Sequence, residues 1–206
     1  MIERMEKGYL YVFEGPDGVG KTSLIDRVFE RLIAKGYPTT KLSFPGKDPG
    51  SLGAMVYQIH HNPGLFDLSG LYPPSLQILH IAAHADVIRN KIFPLYQKGT
   101  IILLDRYWWS TLVYGKVAGV DEKILKSILE LELLFWEEIK PDLLFLLDRE
   151  SPFQKDEELA NWMKIRAAYL RVIIEEKDKY PIVRVINDKS LEVVSNQIFS
   201  KISQTL

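Results

Sequence analysis

The sequence contains no cysteine, and it has no hydrophobic run as long as a membrane-spanning helix requires. Without cysteine, disulfide bonds, thiolate catalysis and cysteine-ligated zinc are excluded. The first residues, MIERMEKGYLYVF, also lack the long apolar stretch and the small-residue cleavage site of a signal peptide. These absences favour a soluble, cytoplasmic protein that does not associate with membranes.

An excess of charge of one sign is missing as well. Lys+Arg 26 against Asp+Glu 27 gives a formal net charge of -1. Proteins that bind bulk nucleic acid or anionic membranes present a basic surface, so we expect neither a nucleic acid polymer nor a membrane as a partner. The 206 residues are 47% hydrophobic and 26% charged, a globular balance that predicts a sizeable core and excludes disorder as the main state.

Short apolar runs alternate with helical stretches along the whole chain. The predicted strands lie at residues 9–13, 39–44, 100–104, 143–147 and 182–186. The predicted helices lie at about residues 21–35, 51–60, 73–97, 121–138, 157–178 and 190–203. Strands that are apolar throughout are typical of a parallel sheet with helices on both faces. We therefore expect an α/β fold, a three-layer α/β/α sandwich with a five-stranded parallel sheet, whose ligands bind near Glu14, Asp105 and Asp148 at the strand ends.

Residues 15–22, GPDGVGKT, match the pattern G-x-x-x-x-G-K-[ST] between a predicted strand and a predicted helix. In such a loop, glycines allow backbone N–H groups to surround phosphate oxygens, and the helix N-terminus adds a favourable dipole. Lys21 would hold the β- and γ-phosphates, and the Thr22 hydroxyl would ligate Mg²⁺. The alternative is a glycine-rich turn with a solvated lysine. The loop predicts nucleoside triphosphate binding and leaves the phosphate acceptor open.

The segment from Phe13 to Ser23 closely resembles the phosphate loop of thymidylate kinases, a family of P-loop nucleoside monophosphate kinases. Further segments similar to that family, in the same order and spacing, are residues 44–50, 105–110 with Tyr114, 141–148 and 187–188. The resemblance spans nearly the whole chain. It implies a P-loop NTPase-type fold, a single kinase domain over residues 1–206 and a short lid at about 149–158. It also implies ATP and Mg²⁺ as cofactors, phosphoryl transfer from ATP to dTMP with formation of dTDP, and a homodimer as one possible assembly.

The resemblance implies roles for individual residues. Asp17 matches an acidic residue that bonds the 3′-hydroxyl of the acceptor's sugar, Arg106 an arginine that holds the acceptor phosphate, and Asp105 an aspartate beside Mg²⁺. The expected catalytic residues are Lys21, Asp17, Arg106, Asp105 and Arg149. The expected nucleotide-binding residues are Gly15, Gly18, Gly20, Lys21, Thr22, Ser23 and Asn187. The expected acceptor-binding residues are Asp17, Phe44, Lys47, His84, Arg106, Ser110 and Tyr114, and the expected metal ligands are Thr22 and Asp105.

Physical chemistry supports this set, because two anionic phosphates that approach in line need cations and a metal between them. Asp105 and Arg106 follow an apolar run directly, which favours a site over a surface ion pair. For the transition state, family members use an arginine of either the phosphate loop or the lid. Gly18 occupies the loop position, so the lid must supply the arginine. The short lid segment offers only Arg149 and Lys155. Either Arg149 serves, or Arg166 reaches in from the next helix, or turnover is slow.

The chain departs from the family at the acceptor side. His84 stands where the family has an arginine that recognises thymine, Gly115 replaces a polar residue, and Lys47 replaces an arginine whose bidentate fork a lysine cannot supply. These departures keep two alternatives open. One is a P-loop kinase for another nucleotide, a nucleoside or a non-nucleotide alcohol. The other is a nucleotide-binding module without turnover.

Two further patterns have competing interpretations. His80 and His84 have the i, i+4 spacing of zinc ligands, but the glutamate of the metalloprotease motif is missing, so we favour pocket or core histidines. The apolar face around residues 124–135 fits the core or a dimer contact equally well.

Overall fold

The computed structural model describes residues 7–136, 139–153 and 158–206. Within these ranges the chain forms one sheet of five parallel strands in the order β2-β3-β1-β4-β5. The strands are β1 (Tyr9–Glu14), β2 (Thr39–Ser43), β3 (Ile101–Asp105), β4 (Leu143–Asp148) and β5 (Ile182–Ile186). The three inner strands are almost entirely buried, which agrees with their apolar sequences. The predicted parallel sheet is confirmed.

The helices of the described ranges surround this sheet. They are α1 (Lys21–Ala34), α2 (Leu52–His61), α3 (Pro73–Val87), α4 (Phe93–Gln97), α5 (Trp108–Val117), α6 (Glu122–Trp136), α7 (Leu159–Glu176) and α8 (Leu191–Ser203). A 3₁₀ turn at Pro63–Phe66 follows α2, and a π-helical turn at Ile88–Ile92 joins α3 to α4. In the described part of the chain, no helix has the length and apolar character needed to cross a membrane.

Two hydrophobic cores lie on opposite faces of the sheet, because successive side chains of a strand point to opposite sides. In β1, Leu10 and Val12 belong to the core beneath α3, α5, α6 and α7. Tyr11 and Phe13 belong to the core beneath α1 and α8. The predicted three-layer α/β/α sandwich is therefore confirmed.

Helix α5 was not predicted from the sequence. Most of its side chains are buried, and it packs against α6 and α7. A helix that is buried on all sides has apolar residues around its circumference and shows no amphipathic period. Periodicity, the main sequence signal for a helix, is absent here for that reason.

The helical stretch predicted for residues 73–97 is confirmed, and a π-helical turn divides it into α3 and α4. Pro94 lies in the first turn of α4, directly after the π-helical turn. Proline lacks the N–H that an α-helix needs, and its ring collides with the carbonyl of the preceding turn. The wider π-helical turn accommodates both effects, so the helix continues with altered pitch instead of ending.

Candidate active site

A cavity of about 890 Å³ opens at the carboxyl ends of the strands. It extends from the loop after β1 to α2 and α3, and it includes Asp105 at the end of β3 and Asn187 just beyond β5. Open parallel sheets bind ligands at this edge, and the volume suits a small-molecule site. Every site residue expected from the sequence lines this cavity except Gly15 and Arg149.

The loop after β1 holds two glycines where other residues fit poorly. Gly15 has a φ of 138°, and a Cβ on it would lie 2.4 Å from the carbonyl oxygen of Leu147. Gly20 has a φ of 90°, and its Cβ would lie 2.7 Å from Asn187 Nδ2. Asn187 Nδ2 also donates to the carbonyl oxygen of Val19 at 2.7 Å. These close approaches fix the loop between β4 and the residues after β5.

Helix α1 begins directly after this loop with its N-terminus open. Gly20, the N-cap, has no side chain to accept from the first turn, and that turn contains no acidic residue. Thr22 and Ser23 are exposed there and line the cavity. Free N–H groups and the positive end of the helix dipole together form an anion site. The start of α1 is therefore suited to phosphate.

Lys21 is buried beneath the same loop. Its Nζ donates to the carbonyl oxygens of Gly15 at 2.9 Å and Pro16 at 2.8 Å. Burial, followed by the positive charge of Arg106, lowers the pKa of Lys21. A phosphate entering the loop offers this cation a stronger partner than a carbonyl oxygen does, because charge-assisted hydrogen bonds are the stronger kind.

Asp105 is suited to a magnesium ion. Its Oδ1 is buried without a hydrogen-bond partner among the described residues, and it lines the cavity together with Thr22. Carboxylate and hydroxyl oxygens suit Mg²⁺, which takes its other ligands from water and from substrate phosphates. No group of three or more His, Cys, Asp or Glu residues forms a complete metal cage in the described ranges. This arrangement fits a metal shared with phosphates.

Asp17, Arg106 and Tyr114 form a hydrogen-bonded cluster on the cavity wall. Arg106 donates to Asp17 and, at 3.1 Å, to Ser110 Oγ, while the Tyr114 hydroxyl donates to Asp17 Oδ2 at 2.8 Å. Partial burial would raise the pKa of Asp17, but Arg106 and Lys21 lower it to about 2. The Asp17 carboxylate is therefore ionised at neutral pH and accepts hydrogen bonds.

Glu14 holds the start of α5, the helix that carries this cluster. Its fully buried carboxylate accepts from the backbone N–H groups of Tyr107 at 2.7 Å and Ser110 at 3.1 Å, and from Ser110 Oγ at 2.9 Å. Tyr169 of α7 donates to the same carboxylate at 2.9 Å. Arg106, whose φ of 77° is unusual for a non-glycine residue, directly precedes this capped segment. Glu14 thus contributes to the position of Arg106.

The other end of the cavity is lined by aromatic rings and histidines. Phe44 and His84 stack with ring centroids 4.0 Å apart and an interplanar angle of 12°. Lys47 Nζ lies 5.0 Å from the centre of the Tyr57 ring. Other cavity residues at this end, outside the expected site residues, include His60, His61, Gln77, His80 and Thr111. Flat rings beside a cation suit a planar base that carries a phosphate.

The interpretation of His80 and His84 as pocket residues is supported. His80 Nε2 lies 3.2 Å from His60 Nδ1, and both histidines line the cavity with His84. Gly115, by contrast, lies away from the cavity lining. A Cβ on Gly115 would lie 2.7 Å from Leu125 Cδ1, so its side faces α6. The glycine that stands here in place of the family's polar residue therefore affects the packing of α5 against α6.

The arginines proposed for the lid have protein partners. Arg149 donates to the carbonyl oxygen of Asn187 at 3.1 Å, and its guanidinium lies 3.4 Å from the centre of the Phe153 ring. Arg166 donates to both carboxylate oxygens of Asp148, at 2.6 Å and 3.2 Å. Lys155, a further lid cation, lies outside the described residues.

A phosphate-binding loop that opens a helix at the edge of a five-stranded parallel sheet, next to an arginine-lined cavity, defines a P-loop phosphotransferase. The chain belongs to the thymidylate kinase family, whose family profile matches residues 13–198. It is 35% identical over 212 residues to a thymidylate kinase of Bartonella henselae, covering 93% of each chain. It is also similar to those of Chlamydia caviae, at 32% with coverage of 84% and 87%, and Thermomicrobium roseum, at 30% with coverage of 96% of each.

Proposed function

We propose that the protein transfers the γ-phosphoryl group of ATP to dTMP and forms dTDP. The observation that carries this proposal is a single cavity with the phosphate loop on one side and the Asp17–Arg106 cluster on another. A donor and an acceptor nucleotide can meet there with their phosphates between Lys21 and Arg106. Membership in the thymidylate kinase family and the names of the relatives support thymidylate as the acceptor.

In this mechanism the protein mainly positions two anionic groups. Lys21 and the N–H groups of the loop hold the β- and γ-phosphates of ATP. Arg106 and Lys47 hold the acceptor phosphate, and Asp17 accepts a hydrogen bond from the sugar 3′-hydroxyl. The cations offset the repulsion between the phosphates, so the reacting atoms can approach in line.

Thr22 and Asp105 would hold Mg²⁺ beside the phosphates. When bound, the metal neutralises charge on the phosphate oxygens. The unpartnered Asp105 Oδ1 supports this assignment, because a buried carboxylate oxygen without a partner is costly unless a ligand satisfies it.

Arg149 is our proposal for the arginine that stabilises the transition state. It would exchange the carbonyl oxygens of Ser151 and Asn187 for phosphate oxygens, which accept stronger hydrogen bonds from a guanidinium. Arg166 is less available, since it is paired with the buried Asp148 in a bidentate arrangement.

A coupled ADP-release assay with MgATP tests the function. The acceptor panel consists of dTMP, dUMP, dCMP and thymidine, and Lys21→Ala is the inactive control. Selective, repeated turnover with dTMP is the expected result. Turnover with another acceptor would instead support a P-loop kinase of altered specificity. The observation that favours this alternative is His84, which stands where the family has its thymine-recognising arginine. ATP binding without turnover on any acceptor would support a nucleotide-binding module.

We further propose that residues 1–206 act as one kinase domain with a short lid at about 149–158, of which residues 154–157 lie outside the described ranges. The enzyme would work in the cytoplasm, where its nucleotide substrates occur, and the near-neutral charge supports a small nucleotide over a nucleic acid polymer. We also propose that the protein forms a homodimer in which exposed apolar side chains of α6 make the contact.

A further inference from the structure

A fully buried glutamate of α6 has no role in the mechanism above. The side chain of Glu132 has no solvent exposure. Its Oε1 lies 2.6 Å from His84 Nδ1, and its Oε2 accepts from Thr111 Oγ1 at 2.8 Å. Both partners line the acceptor end of the cavity, whereas Glu132 lies behind them.

Packing alone does not explain a glutamate at this position. Glu132 occupies the core-facing side of α6, and the other buried residues of that side are apolar: Leu125, Ile128, Leu129 and Trp136. Burying a carboxylate costs several kcal/mol, and replacing a buried polar pair by apolar residues of similar size is often neutral or stabilising. A glutamate here therefore points to an effect on the groups that it contacts.

The contact fixes the orientation of His84. Its ring stacks on Phe44, and its Nδ1 is occupied by Glu132, so Nε2 is the ring nitrogen left for a ligand. A carboxylate at Nδ1 requires the proton on that nitrogen, which determines what Nε2 can offer. The hydrogen bond from Thr111 in turn fixes the rotation of the carboxylate. A carboxylate–histidine pair of this kind orients an imidazole, as it does around metal ions.

We propose that Glu132 is a positioning residue for acceptor specificity, which holds His84 with Nε2 towards the base of the acceptor nucleotide. This inference rests on the proposed function and assigns recognition of the base in the same site to His84 and Glu132. With the ring proton held on Nδ1, Nε2 is an acceptor: thymine offers it the N3–H group, whereas cytosine has an acceptor nitrogen at the same position, so the pair favours thymine. The discrimination would depend on Glu132 although Glu132 does not touch the nucleotide.

The variant Glu132→Gln tests this role. Glutamine has nearly the same shape and one acceptor oxygen, but it is neutral and no longer enforces a proton on His84 Nδ1. Binding of dTMP, dUMP and dCMP is measured by calorimetry, and kcat/KM is measured for those that react. We expect the preference for dTMP over dCMP to fall about tenfold, or about 1.4 kcal/mol. The affinity for ATP should stay unchanged.

Two comparisons separate positioning from a structural role. In a His84→Ala background, Glu132→Gln should cause no further change in the dTMP to dCMP ratio, because the effect passes through His84. Ile128→Ala, a buried change on the same side of α6, should lower the melting temperature and leave the ratio unchanged. Thr111→Val, which removes only the hydrogen bond to Oε2, should shift the ratio in the same direction by a smaller factor.

The proposal is overturned if Glu132→Gln keeps the ratio within about twofold of wild type, a free-energy change under about 0.5 kcal/mol. It is also overturned if the same shift occurs without His84, or if none of the three nucleotides binds. Nucleotide binding without phosphoryl transfer would contradict the proposed function alone, since the binding ratios still test Glu132.

Discussion

At the scale of single residues, the site depends on charges that the fold holds close together. Arg106 is fixed by Asp17, by Ser110 and by the ring of Tyr114, whose centre lies 5.1 Å from the guanidinium. This anchoring sets the direction of the guanidinium before a ligand arrives. Preorganised charge of this kind is usually the largest contribution to phosphoryl transfer.

Replacing Arg106 by alanine should therefore raise the KM for the acceptor and lower kcat by roughly a hundredfold or more. ATP binding should survive, because the phosphate loop and Lys21 are unchanged. Steady-state kinetics and a separate ATP titration measure the two effects. Arg106→Lys is the matched control: it keeps the charge without the bidentate fork and should lie between wild type and alanine. Wild-type turnover by Arg106→Ala would contradict the assigned role.

His80 gives the protein a pH dependence of stability. Burial, and then the neighbouring His84, His60, Arg106 and His61, lower the pKa of His80 to about 3. In the unfolded chain this pKa is about 6.5. Between these values the unfolded state binds a proton that the folded state excludes, so the free energy of unfolding falls as the pH falls from 6.5 towards 3.

The variant His80→Gln should reduce the loss of stability between pH 7.5 and pH 5, measured by urea denaturation at both values. Some loss should remain, because burial also lowers the pKa of His60. Asp17 does not interfere at pH 5, since its stabilising charge is lost only as the pH falls from about 3.8 towards 2. An unchanged pH dependence in His80→Gln would show that His80 is protonated in the folded protein.

The residues that could be predicted are those whose chemistry is local in the sequence. The glycines, Lys21 and Thr22 form a continuous motif, Asp105 ends β3, and Arg106 follows it directly. Glu132 could not be assigned to the site, because its partners lie on α3 and α5 and meet it only in the tertiary structure. One signal was present: a glutamate at a spacing where α6 otherwise buries apolar residues.

At the scale of elements, amphipathic helices and apolar strands were predictable, and the buried helix α5 was not. Helices α1 and α8 each have one side that faces the core and one that faces solvent, whereas most side chains of α5 are buried. The π-helical turn between α3 and α4 depends on how a proline is accommodated inside a continuing helix, which periodicity does not reveal. Helix α5 borders the acceptor side of the cavity through Ser110, Thr111 and Tyr114.

The close packing of α2 offers a test at this scale. A Cβ on Gly53 would lie 2.0 Å from the carbonyl oxygen of Pro45 and 2.8 Å from the Cα of Gly46. Gly53→Ala should therefore push α2, with Tyr57 and His60, away from residues 44–50, the Phe44 segment. Overpacking of this kind costs about 1–3 kcal/mol, and here it should also weaken dTMP binding more than ATP binding.

Thermal unfolding and ligand titrations measure both effects of Gly53→Ala. The control is Gly64→Ala in the 3₁₀ turn, where a Cβ would meet nothing within 4 Å. It should leave stability and both affinities close to wild type. Equal behaviour of the two variants would show that α2 can move without consequence for the acceptor site.

At the scale of the whole molecule, the parallel sheet explains why distant segments form one site. The ends of β1, β2 and β3 lie side by side, and the pairing of Phe13 and Ser43 with Asp105 fixes their register. The phosphate loop, the Phe44 segment and Arg106 follow these ends directly. The sheet order could not be derived from strand patterns alone, because all inner strands have similar apolar sequences.

The surface of α6 carries the last prediction. Ile124, Leu131 and Leu134 lie on one side of this helix and are 37%, 47% and 70% exposed. Exposed apolar side chains on one side of a helix are typical of an interface, and in a symmetric dimer they would pack against the same side of the second copy. Wild-type protein at micromolar concentration should therefore be a dimer by light scattering and sedimentation.

Leu134→Glu should be a folded monomer, because an exposed charge opposes the contact without disturbing the core. Leu65→Glu, at a side chain that is 73% exposed in the 3₁₀ turn, should remain dimeric. A wild-type monomer, or a dimer that persists in Leu134→Glu, would contradict an α6 interface.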